Sequence, residues 1–252
     1  MKNTHLSYRT SNPALNKHTF KSTVKNNSLL LDNTMTIEGT VNKTALSLFL
    51  LVAAGYYTFS LGSEGFHWVM IGGIGGFIVA IITMFKRQWS PITVPIYAIL
   101  EGLMLGSISF IYGQMYDGLV FQAICLTIFI LFSLLFAYRS KIIKPTQNFK
   151  LGLFAATGGV FLLYLFSFIA SFFGVSVSIL DPTNSSLFSI GASLLIVVIA
   201  SLNLVIDFDF IEEGAEMGVP KYMEWYGAFG LLVTLVWLYL EILRMLAKLR
   251  NR

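Results

Sequence analysis

The sequence predicts an all-α fold, a bundle of seven transmembrane helices of the kind that crosses a bilayer back and forth, behind a polar N-terminal tail. Three observations predict it. The 252 residues are 56% hydrophobic and only 12% charged, with a mean hydropathy of +0.73, whereas a soluble domain is about 25% charged; there is too little polar surface here to cover a globule in water. Seven apolar runs approach the roughly 20 residues that a spanning helix needs. Lys and Arg gather in alternate connections, as they do in helices that cross repeatedly.

Residues 1–44 are polar, with six basic residues against two acids. The expectation is a disordered tail on the cytoplasmic side, with room for a short interfacial helix over 35–44. Residues 45–252 then form one domain. The seven runs lie at about 45–62, 67–86, 92–112, 118–138, 150–174, 187–211 and 226–246, and their short connections predict antiparallel neighbours. In the second run Gly72, Gly73, Gly75 and Gly76, and in the fifth Ala155, Thr157, Gly158 and Gly159, are small residues of the kind that let backbones approach in lipid. Pro91 and Pro95 are placed in the first turns of the third helix, where a missing N–H is harmless. With the N-terminus inside, the cytoplasmic connections carry Lys86, Arg87, Arg139, Lys141, Lys144, Lys150 and Lys221, and the opposite ones carry only Glu64, Asp117 and Asp181. The pattern breaks at the end, where Arg244, Lys248, Arg250 and Arg252 would lie outside if the seventh helix spans fully. Full spanning is the favoured reading over a re-entrant return.

Several function classes are excluded or disfavoured. The net charge of +4 is spread over separate loops rather than a basic stripe, so nucleic acid is not an expected partner. Cys125 is single and can form no intrachain disulfide. Only His5, His18 and His67 are present, which excludes a His-rich metal site at membrane depth. No nucleophile elbow, P-loop or dinucleotide fingerprint appears. No enzyme activity, cofactor or resident metal is expected.

Acids at membrane depth are the candidates for function, because an ionisable group there costs about 2.5–3.5 kcal/mol to insert and faces protein or a wet cavity. Glu101 sits about ten residues from either end of the third run, near the midplane. Asp207 follows Asn203 by four residues, on one helix face, and Asp209 is turned about 200° away. Asp207 is the stronger internal acid, with Arg87 or Lys86 as its natural counter-ion; a carboxyl so placed can exchange a proton for a cation and report pH. Glu212, Glu213, Glu216 and Glu224 continue the acidity through the last connection, read mainly as a solvated loop that could gather cations. Glu241 and Arg244, spaced i, i+3, read as an ordinary ion pair at the interface.

At these residues the sequence resembles the Bax inhibitor-1 family. Glu101-Gly102-Leu103-Met104-Leu105-Gly106 is similar to the Gly-x-x-Leu-Gly signature of that family's third helix, and Asn203-Leu204-Val205-Ile206-Asp207 to the end of its sixth. The seven-helix spacing matches from about residue 43 onward. Tyr8–Pro13 and Lys221–Gly227 resemble a bacterial subgroup, which implies a bacterial cytoplasmic (inner) membrane. The resemblance implies a pH-sensitive calcium leak, in which paired Asp residues on helices 6 and 7 share a proton and an Arg from helix 2 latches one of them. Asp207 matches the helix-6 member, and Arg87 the latch, with Lys86 as the neighbouring register. Aligning the ends of helix 7 puts Thr234 where the second Asp belongs; matching Tyr239-Leu240-Glu241 instead would supply Glu241, about 22 Å along the helix. Glu224 and Thr234 are thus the helix-7 contributors considered. The expected function is a proton-modulated cation (calcium) leak channel or transporter, with Ca²⁺ as the passing ion and the bilayer as its environment. The alternative that the resemblance implies is a regulator or substrate-like binding partner of a membrane protease, without transport, the polar tail being its handle.

Overall fold

The computed structural model describes residues 33–252. Seven α-helices follow one another: α1 Ile37–Ser60, α2 His67–Phe85, α3 Ser90–Met115, α4 Leu119–Arg139, α5 Gln147–Phe172, α6 Leu187–Glu216 and α7 Met223–Arg250. Each is long and apolar enough to cross a membrane, and at 1.5 Å per residue α7 measures about 42 Å, more than a hydrocarbon core of about 30 Å. Large apolar side chains such as Phe49, Phe77, Phe121, Phe161 and Phe188 are exposed around the bundle, the surface that lipid covers. No named strand occurs among the described residues; the one β-contact is a single antiparallel bridge between Thr34 and Pro220.

Helix starts are set by capping. The Thr36 hydroxyl accepts from the Gly39 N–H at 2.9 Å, and Ser186 and Thr146 cap α6 and α5 in the same way. α1 therefore begins at Ile37, eight residues before the apolar run, and residues 33–44 belong to the fold rather than to a disordered tail. The rest of that tail, 1–32, lies outside the described residues. α6 likewise runs five residues past its apolar stretch to Glu216 and ends on Gly218, whose φ of +64° turns the chain back toward α7. Pro91 lies in the first turn of α3 as expected, but Pro95 lies one turn further in, and the helix continues through it without a break.

α7 is the centre. It packs on α1, α3, α4 and α6, while α2 lies outside on α3 and α5 lies outside on α6. Leu204, Phe208 and Ile211 of α6 share one apolar core with Leu231, Leu235, Leu238 and Ile242 of α7. A second cluster, Val94, Tyr97, Ala98, Phe229 and Leu232, joins α3 to α7. The expected glycine contacts hold for α2: a Cβ on Gly72 would collide with the Leu100 carbonyl oxygen of α3. They fail for α5, where a Cβ on Gly158 or Gly159 would meet nothing within 4 Å. The closest approach belongs instead to Gly102 and Gly106 of α3, whose hydrogens face the Leu51 and Gly55 carbonyls of α1. The Gly-x-x-Leu-Gly motif is a helix-crossing site.

The far end of α7 resolves the anomaly in the basic residues. α7 is unbroken, and Asn251 beyond it donates to the Pro182 carbonyl and accepts from the Tyr116 hydroxyl, so the helix spans fully and ends beside the α5–α6 and α3–α4 connections. Lys248 is fully buried there, its ammonium donating to the Ile179 carbonyl (2.6 Å), the Ser193 hydroxyl (2.8 Å) and the Ser189 carbonyl (3.4 Å). In the same loop Asp181 accepts from the Thr183 hydroxyl (2.7 Å) and backbone N–H (2.8 Å), which hold its carboxyl below the ordinary range.

Two outcomes follow from this packing. Gly106→Ala should destabilise the protein by about 1–3 kcal/mol, because its Cβ overpacks the α1–α3 crossing, whereas Gly158→Ala should be neutral or stabilising by up to about 1 kcal/mol; thermal unfolding in detergent reads both. A group whose carboxyl is lowered on folding contributes stability that is present above the ordinary carboxylate range and lost as pH falls through its folded value. Thr183→Val should therefore lower the unfolding temperature at neutral pH and flatten its acid limb, the variant and the parent converging at pH values below the folded range of the carboxyl.

Candidate functional site

α6 and α7 create the candidate site where they face each other toward the α6–α7 connection. Asp207 stands on α6, and Gly230 lies opposite: a Cβ built on Gly230 would sit 3.6 Å from Asp207 Oδ1. Thr234, one turn further along α7, neighbours the carboxyl. Asp207 Oδ2 is buried and has no hydrogen-bond partner among the described residues. Gly227 and Gly230, three residues apart on one face of α7, leave a cleft of about 210 Å³, lined by Ile206, Asp207, Phe210, Tyr226, Gly227 and Gly230. The Tyr226 wall carries the Arg87 guanidinium, 5.3 Å from the ring centroid. Arg87, in the 3₁₀ turn Arg87–Trp89 between α2 and α3, thus rests against a residue of the cleft wall without lining the cleft itself, and among the described residues it forms no ion pair with Asp207; the expected latch is a cation held over an aromatic face. Lys86, the alternative latch, is exposed at the end of α2.

The other acids are each settled by a different neighbour. Asp209 forms an ion pair with Lys150 of α5, so it is neither a second acid beside Asp207 nor an isolated interfacial charge. Asn203, expected to share Asp207's face, donates instead to the Thr157 hydroxyl of α5 at 2.9 Å and to its own Ile199 carbonyl at 2.8 Å. The 40° that separates i from i+4 is enough for α5 to claim the first side chain and α7 the second. Glu224 is fully buried at the start of α7 and is consumed by α1: it accepts from the Thr36 N–H (3.0 Å) and hydroxyl (2.9 Å), and it pairs with Lys43. Of the loop acids, Glu212 accepts from the Tyr138 hydroxyl.

Glu101 is buried, with 8% of its surface exposed, but it faces α2. A Cβ on Gly76 would lie 2.7 Å from its Oε1, and its Oε2 is buried without a partner among the described residues. Tyr97, one turn earlier, neighbours its carboxyl and packs its ring edge-on against Phe229 of α7, centroids 5.1 Å apart. The structure therefore does not bring Glu101 and Asp207 together: α3 meets α7 through the apolar cluster around Phe229 and Leu232, and the glutamate occupies the α2–α3 seam.

A second buried network went unseen in the sequence. Glu241 is 1% exposed, not interfacial. It accepts from Arg244 at 3.0 Å and from the Tyr164 hydroxyl of α5, while Arg244 donates to the same hydroxyl at 3.0 Å and lies over the Tyr164 ring. Helical spacing marked the Glu–Arg pair but could not mark Tyr164, 77 residues away. The Gly227, Gly230, Thr234 stripe was visible as small residues at i, i+3, i+7, yet nothing local says that a cleft forms over it.

Buried acids with all oxygens paired and buried acids with one oxygen idle should respond oppositely to neutralisation. Glu241→Gln leaves Arg244 enclosed without its partner and should cost about 3–5 kcal/mol. Asp207→Asn and Glu101→Gln remove carboxylates that are incompletely paired and should change unfolding temperature little or raise it. A loss for Asp207→Asn as large as that for Glu241→Gln would make Asp207 a structural residue.

The family model described as Bax inhibitor 1 like matches residues 12–251. No curated protein and no solved structure matches the chain.

Proposed function

From the premise that the chain belongs to the Bax inhibitor 1 like family, we propose that this multi-pass membrane protein is a proton-modulated cation leak, with the Asp207 cleft as its ion-handling site. The observation that carries this reading is the idle Oδ2 of Asp207, buried beside a cleft of about 210 Å³ between two helices. A carboxyl in that position has two ways to complete its valence: it takes up a proton, or it ligates a cation that enters the cleft. The two compete for one oxygen pair, so proton concentration sets cation occupancy. Thr234 supplies a neutral oxygen where a second acid would bind more tightly, which suits passage rather than retention of a divalent ion. Arg87, held on the Tyr226 wall, adds fixed positive charge beside the cleft wall and acts as a brake on cation entry. The lysines and arginines of the α2–α3 and α4–α5 connections support a cytoplasmic opening by the positive-inside rule.

Purified protein reconstituted into liposomes with a Ca²⁺ reporter tests the reading. Ca²⁺ influx should vary across about pH 5 to 8. Asp207→Asn should remove most of the pH dependence and lower the flux about tenfold or more, the penalty for losing a charged ligand, and Arg87→Ala should raise it. Flux that is absent throughout, or unchanged in Asp207→Asn, sinks the reading. Glu101→Gln, on the α2–α3 seam, should leave the flux intact.

A further inference from the structure

The cleft is stopped at one end by the chain's own N-terminal segment. Asp207, Ile211 and Gly214 fall four and seven residues apart on one face of α6, and Gly227, Gly230 and Thr234 on one face of α7. Gly227, a wall of the Asp207 cleft, also faces Ile211 and Met35 on the side toward the α6–α7 connection. Met35 sits at that end. It is 2% exposed and packs in the same core as Ile211. A Cβ on Gly214 would lie 3.1 Å from its sulfur, and one on Gly227, itself a wall of the Asp207 cleft, 3.4 Å from its methyl. Gly214 thus leaves room for the methionine sulfur, and Gly227 for its methyl together with Ile211 and Thr40, each 3.1 Å from where a Cβ would stand. Met35 is not part of a spanning helix. It sits on a short strap, residues 33–36, that leads into α1.

The strap is fastened by bonds that a spanning helix does not need. Met35 N–H donates to the Val219 carbonyl at 2.7 Å, and Lys221 N–H donates to the Asn33 carbonyl at 2.9 Å. Thr36 is held from both its N–H and its hydroxyl by Glu224. The clamp therefore joins three things: the strap, the α6–α7 connection and the first turn of α7. A methionine is an adaptable filler, unbranched and able to withdraw without rearranging its socket. A single antiparallel bridge is also the weakest of β-contacts.

We propose that Asn33–Thr36 is a tethered plug, with Met35 as its stopper and Glu224 as its clasp, which closes the Asp207 cleft from the α6–α7 end and must lift for water and ions to reach it. This rests on the reading of the cleft as an ion path, but its test does not depend on ion flux. Gly230→Cys places a thiol in the cleft, where a Cβ makes only ordinary contact, on a background in which the native Cys125 is replaced by Ser. In nanodiscs, where both faces are reachable, the rate of reaction with a charged methanethiosulfonate reports access. Met35→Ala should raise that rate at least about tenfold, as expected from deleting a fully seated side chain, and Met35→Leu, which keeps the volume, should raise it far less. Thr36→Val, with Met35 intact and the clasp weakened, should also raise it. Equal rates in the parent, Met35→Ala and Thr36→Val proteins would overturn the plug. Faster labelling with no Ca²⁺ flux in any protein would keep the plug and remove the leak; flux with labelling unmoved by either variant would keep the leak and remove the plug.

Discussion

The structure depends on how α7, buried at the centre, satisfies its polar groups without water. In lipid an unpaired polar group has no solvent to fall back on, and helices gain nothing from hydrophobic association. The buried charged groups of α7 are therefore given to neighbours, although the buried Trp237 indole N–H has no partner among the described residues. Glu224 goes to the first turn of α1, Glu241 and Arg244 go to Tyr164 of α5, and Lys248 goes to the α5–α6 connection and to Ser193 of α6. Tyr239 bonds the Ser109 hydroxyl of α3 at 2.7 Å. These contacts fix α1, α3, α5 and α6 against one rod, and the glycine crossings of α3 bring in α2 and tighten α1.

Against that background Asp207 stands out by being incompletely matched. It faces α7 at a point where α7 offers two glycines and a threonine rather than a cation. The fully paired acids of the same bundle show that the fold is able to neutralise a buried carboxylate with Lys or Arg, so the open valence at Asp207 is not forced by composition. The Arg87 guanidinium rests on Tyr226, a residue that lines the same cleft, and forms no ion pair with Asp207 among the described residues. An unpaired acid costs stability, and a cleft beside it costs packing; together they mark the part of the molecule least optimised for holding the bundle together. Glu101 shares the open valence but not the cleft, since Gly76 of α2 closes over it.

The N-terminal strap packs against the helix faces beyond Asp207. Gly214 of α6 lies against the Met35 sulfur, and Gly227 of α7 lies where Ile211 of α6, Thr40 of α1 and Met35 of the strap converge. The charged clasp at Glu224 is fully buried and engages three donors from α1 and its cap, more anchoring than a helix terminus requires for its own capping.

Composition and periodicity alone determined that seven helices cross a bilayer, roughly where each begins, and that Asp207 and Glu101 lie at membrane depth. They could do so because the lipid solvent imposes length and apolarity on every segment independently of its neighbours. The same reasoning marked Gly72 and Gly76 correctly and Gly158 and Gly159 wrongly, since a small residue states only that a close approach is permitted. Which side chain answers which was decided by tertiary structure. Asn203 turned to α5 and Asp207 to α7, Asp209 to Lys150, Glu224 to Thr36 across 188 residues. Burial of Lys248 removed one cation from the tail that had broken the charge pattern. Helical spacing fixes angles around one axis but not the rotation of that axis against another, and a partner on a different helix leaves no periodic trace in the chain.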